Sequence, residues 1–179
     1  MKNIRSKVFE TNSSSTHSIS ICADADGIYE TVVPDKDGAI VLSGGKFGWD
    51  FAEYSDCLTK MNYAAIFTAS PGTHNSYDKF QAEFARTREL LIQVIKEHTG
   101  AKKIVFNFTV EQYNKDKNFI SGNSYIDHQS NLMERRSTLR AFESKQTLKD
   151  WLFNPKSKLE TGNDNDYGEE YEEEEQTDE

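Results

Sequence analysis

The stretch from Tyr77 to His98 constrains the fold more than any other part of the chain. Tyr77, Phe80, Phe84, Leu91, Val94 and Ile95 recur at helical spacing, so one side of a helix gathers them. Ser76 can cap the start, because its hydroxyl accepts an otherwise unpaired backbone N–H. Gly100 supplies the left-handed residue that stops the helix. The apolar run Ile104 to Val110 follows at once and reads as a buried strand. A helix leading into a strand in this way is a usual step of a chain that mixes helices and strands.

The rest of the chain supplies short elements of both kinds. Ser18 to Cys22 alternates polar and apolar, the period of a half-buried strand. Tyr29 to Val33 and Ala39 to Ser43 read as two more strands, and Pro34-Asp35-Lys36-Asp37-Gly38 between them has hairpin chemistry. A second helix is expected from about Phe51 to Thr68, with Phe51, Tyr54, Leu58, Met61 and Ala65 as its stripe and Ser70-Pro71-Gly72 as its stop. Residues 111–122 are polar and loop-like. Tyr125-Ile126 forms a short strand with Asp127-His128 at its end, and residues 132–142 can be helical. Ser144 caps a further short helix in which Leu148, Trp151 and Leu152 pack inward and Pro155 closes the run. The reading is one α+β domain over residues 1–160: a small mixed sheet flanked by three or four helices, with no internal repeat.

The net charge of −9 belongs to one end of the chain. Residues 160–179 hold eleven carboxylates and no Lys or Arg, leaving 19 acids against 21 bases elsewhere. The body is therefore near neutral, and residues 161–179 are expected to be a disordered acidic tail. Its run Glu169-Glu170-Tyr171-Glu172-Glu173-Glu174-Glu175 has the charge density of a nucleic-acid strand, though such tails more often only solubilise. Cys22 and Cys57 have no nearby cysteine partner, which favours reduced thiols in a cytosol-like compartment. No apolar run follows Lys2, Arg5 and Lys7, and none approaches the ~18 residues that cross a bilayer. The chain reads as soluble and cytoplasmic.

Candidate chemistry starts at Glu10 to Ser18, where a carboxylate, an amide, six hydroxyls and an imidazole follow one another. Asn12, Ser13, Ser14, Ser15 and Thr16 could wrap an anionic oxygen. His17 could move a proton, and Glu10 could orient it or act as a base. The plain alternative is a hydroxyl-rich loop that satisfies its own backbone. No Gly-x-Ser-x-Gly elbow singles out a nucleophile. Asp127-His128 is a second candidate for acid–base work. His17, His128 and Glu10 or Asp164 could form a two-His, one-carboxylate set, but no ligand spacing supports a metal and none is expected. Gly44-Gly45-Lys46-Phe47-Gly48 lacks the Gly-Lys-Ser/Thr ending of a phosphate loop, and reads as a strand-to-helix turn with Trp49 in the core. Arg135, Arg136 and Arg140, with Lys145 and Lys149, form a basic patch that either pairs phosphates or is a solvated helix face.

The opening Val8-Phe9-Glu10-Thr11-Asn12-Ser13-Ser14-Ser15-Thr16-His17-Ser18 resembles that of an uncharacterised family of proteins encoded by tailed phages and some bacteria. Gly45-Lys46-Phe47-Gly48-Trp49, Tyr125-Ile126-Asp127-His128-Gln129-Ser130 and Thr161-Gly162-Asn163-Asp164-Asn165 are similar to later phrases of the same group. The resemblance implies a phage or mobile-element origin and no particular reaction. It adds Asn163 and Asp164 to the candidate site. Three functions follow as expectations. The first is an enzyme acting on a phosphate-bearing substrate, a nucleotide or nucleic acid, by His/carboxylate chemistry. The second is a non-catalytic protein that binds and blocks a host factor, through its acidic tail in one version. The third is a virion component. The sequence names no cofactor and no oligomeric state.

Overall fold

Helix α1, Cys57–Phe67, buries eight of its eleven residues, so it is enclosed on most sides and does not float on a surface. The computed structural model describes residues 15–23, 28–48, 50–69, 77–110, 112–113, 119–127 and 138–163, and α1 is the centre of that set. Asp56 fixes where it begins. Its extended backbone and its Oδ1, 2.8 Å from the Thr59 N–H, make the N-cap. The helix expected from Phe51 is therefore shorter. Ala52–Tyr54 is a strand instead, Phe51 is 68% exposed, and Leu58 of the expected stripe also faces out. The stripe fails because α1 has core on most sides: Met61, Tyr63, Ala64, Ala65 and Ile66 are all sealed from solvent.

Helix α2, Tyr77–Thr99, matches the expected span and turns Leu91, Val94 and Ile95 inward. Gly100, at φ +74°, donates its N–H to the Lys96 carbonyl and ends the helix as anticipated. Helix α3, Lys145–Phe153, is capped by Ser144, whose Oγ lies 3.0 Å from the Thr147 N–H. Trp151, Leu148 and Leu152 are fully buried on it, and a helical turn at 138–141 precedes it. α1 packs on α3 through Tyr63 and Trp151, whose ring centroids are 6.2 Å apart edge-on, and on the turn before α3 through stacked Phe67 and Phe142 at 5.7 Å.

The strands form small separate ladders around the helices, a mixed α+β arrangement. β1 (Ser15–Ser20) and β4 (Ala52–Tyr54) flank β9 (Lys158–Asn163), both antiparallel. β2 (Ala39–Leu42) runs parallel to β5 (Lys103–Phe106), and β3 (Lys46–Phe47) parallel to β8 (Tyr125–Ile126). β6 (Gln112–Tyr113) and β7 (Phe119–Ile120) pair antiparallel where a polar loop was expected. The expected hairpin between 29–33 and 39–43 does not form. Its turn does: Asp35 Oδ1 accepts the Asp37 and Ala39 N–H groups, and Gly38 takes φ +72°. Residues 29–33 leave the sheet because their groups are used elsewhere. The Glu30 N–H donates to the Phe153 carbonyl, and Tyr29 donates its hydroxyl to Asp150. The body also runs past residue 160: Thr161 and Gly162 are buried in β9, so composition placed the tail boundary too early. Residues 164–179 lie outside the described residues.

Candidate functional site

β9 brings the phrases of the candidate site together. In its ladder with β1, Ser15 faces Asn163, Thr16 faces Gly162 and His17 faces Thr161. On its other side Ala52 pairs with Thr161, whose hydroxyl donates to the Asp50 carbonyl at 2.9 Å. That contact ties in the segment after Gly48. The same segment reaches the Tyr-Ile-Asp phrase through β3: Phe47 pairs with Ile126, and the Asp127 N–H donates to the Phe47 carbonyl at 2.8 Å. A methyl group on Gly48 would sit 3.8 Å from the Asp127 Cβ, so these two turns touch. His17 and Phe47 are joined through α1, since both rings pack on Tyr63, at 6.0 and 5.1 Å between centroids.

This geometry changes the reading of the early hydroxyls. Ser15, Thr16 and His17 are not in a turn that could wrap an anion. They are extended, and their backbone is engaged in a six-residue antiparallel register. His17 is 5% exposed and lies against the core. Asp127 is half-buried at the end of β8. Glu10, Asn12, Ser13, Ser14, His128 and Asp164 lie outside the described residues, as do Arg135, Arg136 and Trp49. Arg140 is exposed, and its carbonyl accepts the Glu143 N–H at 3.2 Å. The other cations of that patch are engaged: Lys145 pairs with Glu97 at 2.8 Å, and Lys149 lies 4.2 Å from the Tyr29 ring centre. Among the described residues no group of three or more His, Cys, Asp or Glu side chains could hold a metal ion.

The glycine loop has its donors in use. The Gly44 N–H donates to Asn62 Oδ1 at 2.9 Å and the Gly45 N–H to Ser124 Oγ at 3.2 Å. Gly44 sits at φ +74°, and an added Cβ would lie 2.1 Å from Ser124 Oγ. Its glycine is thus required by protein packing, and those two N–H groups do not face a ligand.

Two polar centres were not anticipated. Lys60 is fully buried on α1, and its ammonium donates to the carbonyls of Asn154 and Ser157 at 2.9 and 3.0 Å. Burial is the main cause that pulls its pKa down to about 8, with Glu30 opposing. Burial likewise pushes the Cys57 thiol one turn earlier up to about 11, assisted by Glu30, which accepts the Cys57 N–H. The sequence signal was a lysine between Cys57, Met61 and Ala64 on an apolar helix. The second centre is an open depression of about 360 Å³ between α2 and α3, lined by Val94, Glu97, His98, Lys145, Gln146 and Lys149. His98 Nε2 donates to the Glu30 carbonyl at 2.8 Å, and that acceptor fixes its tautomer. Beside it Tyr29 and Gln146 both donate to Asp150, which holds the Tyr29 phenol above its ordinary pKa. Nothing in the spacing of these residues linked 29, 98 and 150 in advance. Comparison with protein-family models, with curated proteins and with solved structures returns no match.

Proposed function

We propose that this is a phage-type accessory protein of the host cytoplasm whose β1–β9 end binds a phosphate-bearing ligand, a nucleotide or nucleic acid, and acts on it by His/carboxylate chemistry. The observation that carries the reading is the register of β1 on β9, which sets Ser15 and Thr16 beside Gly162 and Asn163. Asp127 joins them through the β3–β8 pairing and the contact at Gly48. In this reading Asn12, Ser13 and Ser14 supply anion-binding groups, and Glu10 and His128 supply acid–base groups. His17, at 5% exposure, acts from below and not as the group that meets bulk substrate.

The test uses aryl phosphate mono- and diesters and a single-stranded oligonucleotide as probes. His128→Ala abolishes turnover while circular dichroism stays unchanged, and His17→Gln lowers it. Full activity in a folded His128→Ala protein rejects the acid–base assignment.

The burial of His17 favours a second reading, a non-catalytic protein that binds and inhibits a host factor, with its acidic tail as the contact. A chain ended at Asp166 separates the two. It keeps β9 whole, whereas a cut at 160 would remove half of the sheet's central strand. A catalytic body retains its effect after that cut, and a tail-driven inhibitor loses it.

A further inference from the structure

Arg88 interrupts the inward side of α2. One turn before it is Phe84, and Leu91, Val94 and Ile95 beyond it are all at or below 3% exposure. Arg88 is half-buried there. Its Cζ lies 3.6 Å from the centre of the Phe106 ring on β5 and 5.3 Å from that of Phe84. Phe108 stands edge-on to Phe106 at 6.2 Å. Rings attract the guanidinium but accept none of its five N–H groups in the way an oxygen does. Among the described residues Arg88 has neither a hydrogen bond nor an ion pair, and none of its nitrogens is sealed from solvent. Arg86, two residues earlier, is different: its Nη1 donates to the Phe142 carbonyl at 3.0 Å.

Burial lowers the Arg88 pKa from its ordinary value without neutralising it. The result is a charged, partly desolvated guanidinium, held in place by aromatic rings, whose donor rim is open. A flat fork of donors matches two oxygens of one oxyanion. The neighbouring half-buried rings suit a ligand that also carries an aromatic face.

We propose that Arg88 is an oxyanion-binding residue, and that the seam between α2 and β5 takes the phosphate of a nucleotide whose base packs on Phe106 and Phe108. The proposal uses no group assigned to the β1–β9 end, so it does not rest on His17 or His128. The ligand can be a free nucleotide or one unit of a single strand.

The full-length chain is titrated with inorganic phosphate, with adenosine monophosphate and with a short single-stranded oligothymidylate, following the arginine side-chain N–H signals by NMR and the heat of binding. Adenosine monophosphate shifts the Arg88 Nε–H signal saturably and binds more tightly than phosphate. Arg88→Gln weakens it by about tenfold or more, and Arg88→Lys, which keeps the charge and the stem, loses part of that. Phe108→Leu weakens adenosine monophosphate but not inorganic phosphate. Tighter binding of the oligonucleotide with a steep salt dependence assigns the ligand as a strand, and equal or weaker binding assigns it as a free nucleotide. Wild-type affinity in folded Arg88→Gln and Arg88→Lys, or no saturable shift at Arg88 with any of the three probes, reduces the residue to an aromatic clamp and overturns the proposal. Loss of the binding in His128→Ala would move the ligand to the β1–β9 end and overturn it equally.

Discussion

Lys60 and Arg88 occupy equivalent places and have opposite surroundings. Each is a cation on the inward side of a helix, one on α1 and one on α2. Lys60 is fully buried and holds two carbonyls just past the end of α3, where the helix dipole already favours a positive charge. Arg88 is half-buried and, among the described residues, its guanidinium is held by rings. A buried lysine with oxygens at 2.9 and 3.0 Å is accounted for by the fold itself. A guanidinium whose donors have no oxygen in the described residues is not, and that difference separates a structural cation from a candidate binding group.

The contrast breaks first at Lys60. Lys60→Ala strands two buried carbonyls and opens a cavity beside α3, so a loss of about 3 kcal/mol is expected in urea unfolding. Arg88→Met removes only cation–π attraction and relieves desolvation, so its change stays below about 1 kcal/mol. Equal losses in the two variants would erase the distinction.

The pH dependence sharpens it. The folded Lys60 gives up its proton near pH 8, while the unfolded lysine keeps it to about 10.5. Between those values the unfolded chain binds more protons, so stability rises with pH, by up to about 1.4 kcal/mol per pH unit. Cys57 works the other way. The folded thiol keeps its proton to about 11 and the unfolded one loses it near 9, so stability falls through that window. The wild-type curve should therefore climb from pH 8 to 9 and then level. Lys60→Met should lack the climb, and Cys57→Ala should extend it. A flat wild-type curve from pH 7 to 9 would refute the buried charge.

Legibility followed the range of the forces. α2 and α3 were readable because their signals are local: a stripe at helical spacing, Ser144 at one cap, Gly100 at one stop. α1 was half-readable. Its later part was anticipated, but Phe51 and Tyr54 continued the periodic pattern backwards into what is β4, and the cap at Asp56 was not read. The first strand was read at 18–22 and runs from 15 to 20, displaced for the opposite reason. Ser15 to His17 have no alternation of their own, and they are extended because β9 supplies partners from the far end of the chain. Residues 29–33 had the composition of a strand, yet the carbonyl of Phe153 and the carboxylate of Asp150 drew them to α3. The candidate site was legible as a set of phrases and not as a geometry. The sequence suggested that residues 15–17, 127 and 163 belong together, but not that His17 would be buried against Tyr63.

By itself the sequence determined the two outer helices, the turn at Asp35 to Gly38 and the separation of an acidic end from a nearly neutral body. Each of these rests on contacts within a few residues, or on composition, which needs no fold to be counted. Only the tertiary structure decided which polar groups are satisfied. The Lys60 ammonium finds its oxygens 94 and 97 residues away, and Arg88 meets rings where an oxygen was possible. No local pattern encodes such distant acceptors, because burial and partner are fixed together, at the moment the helices pack.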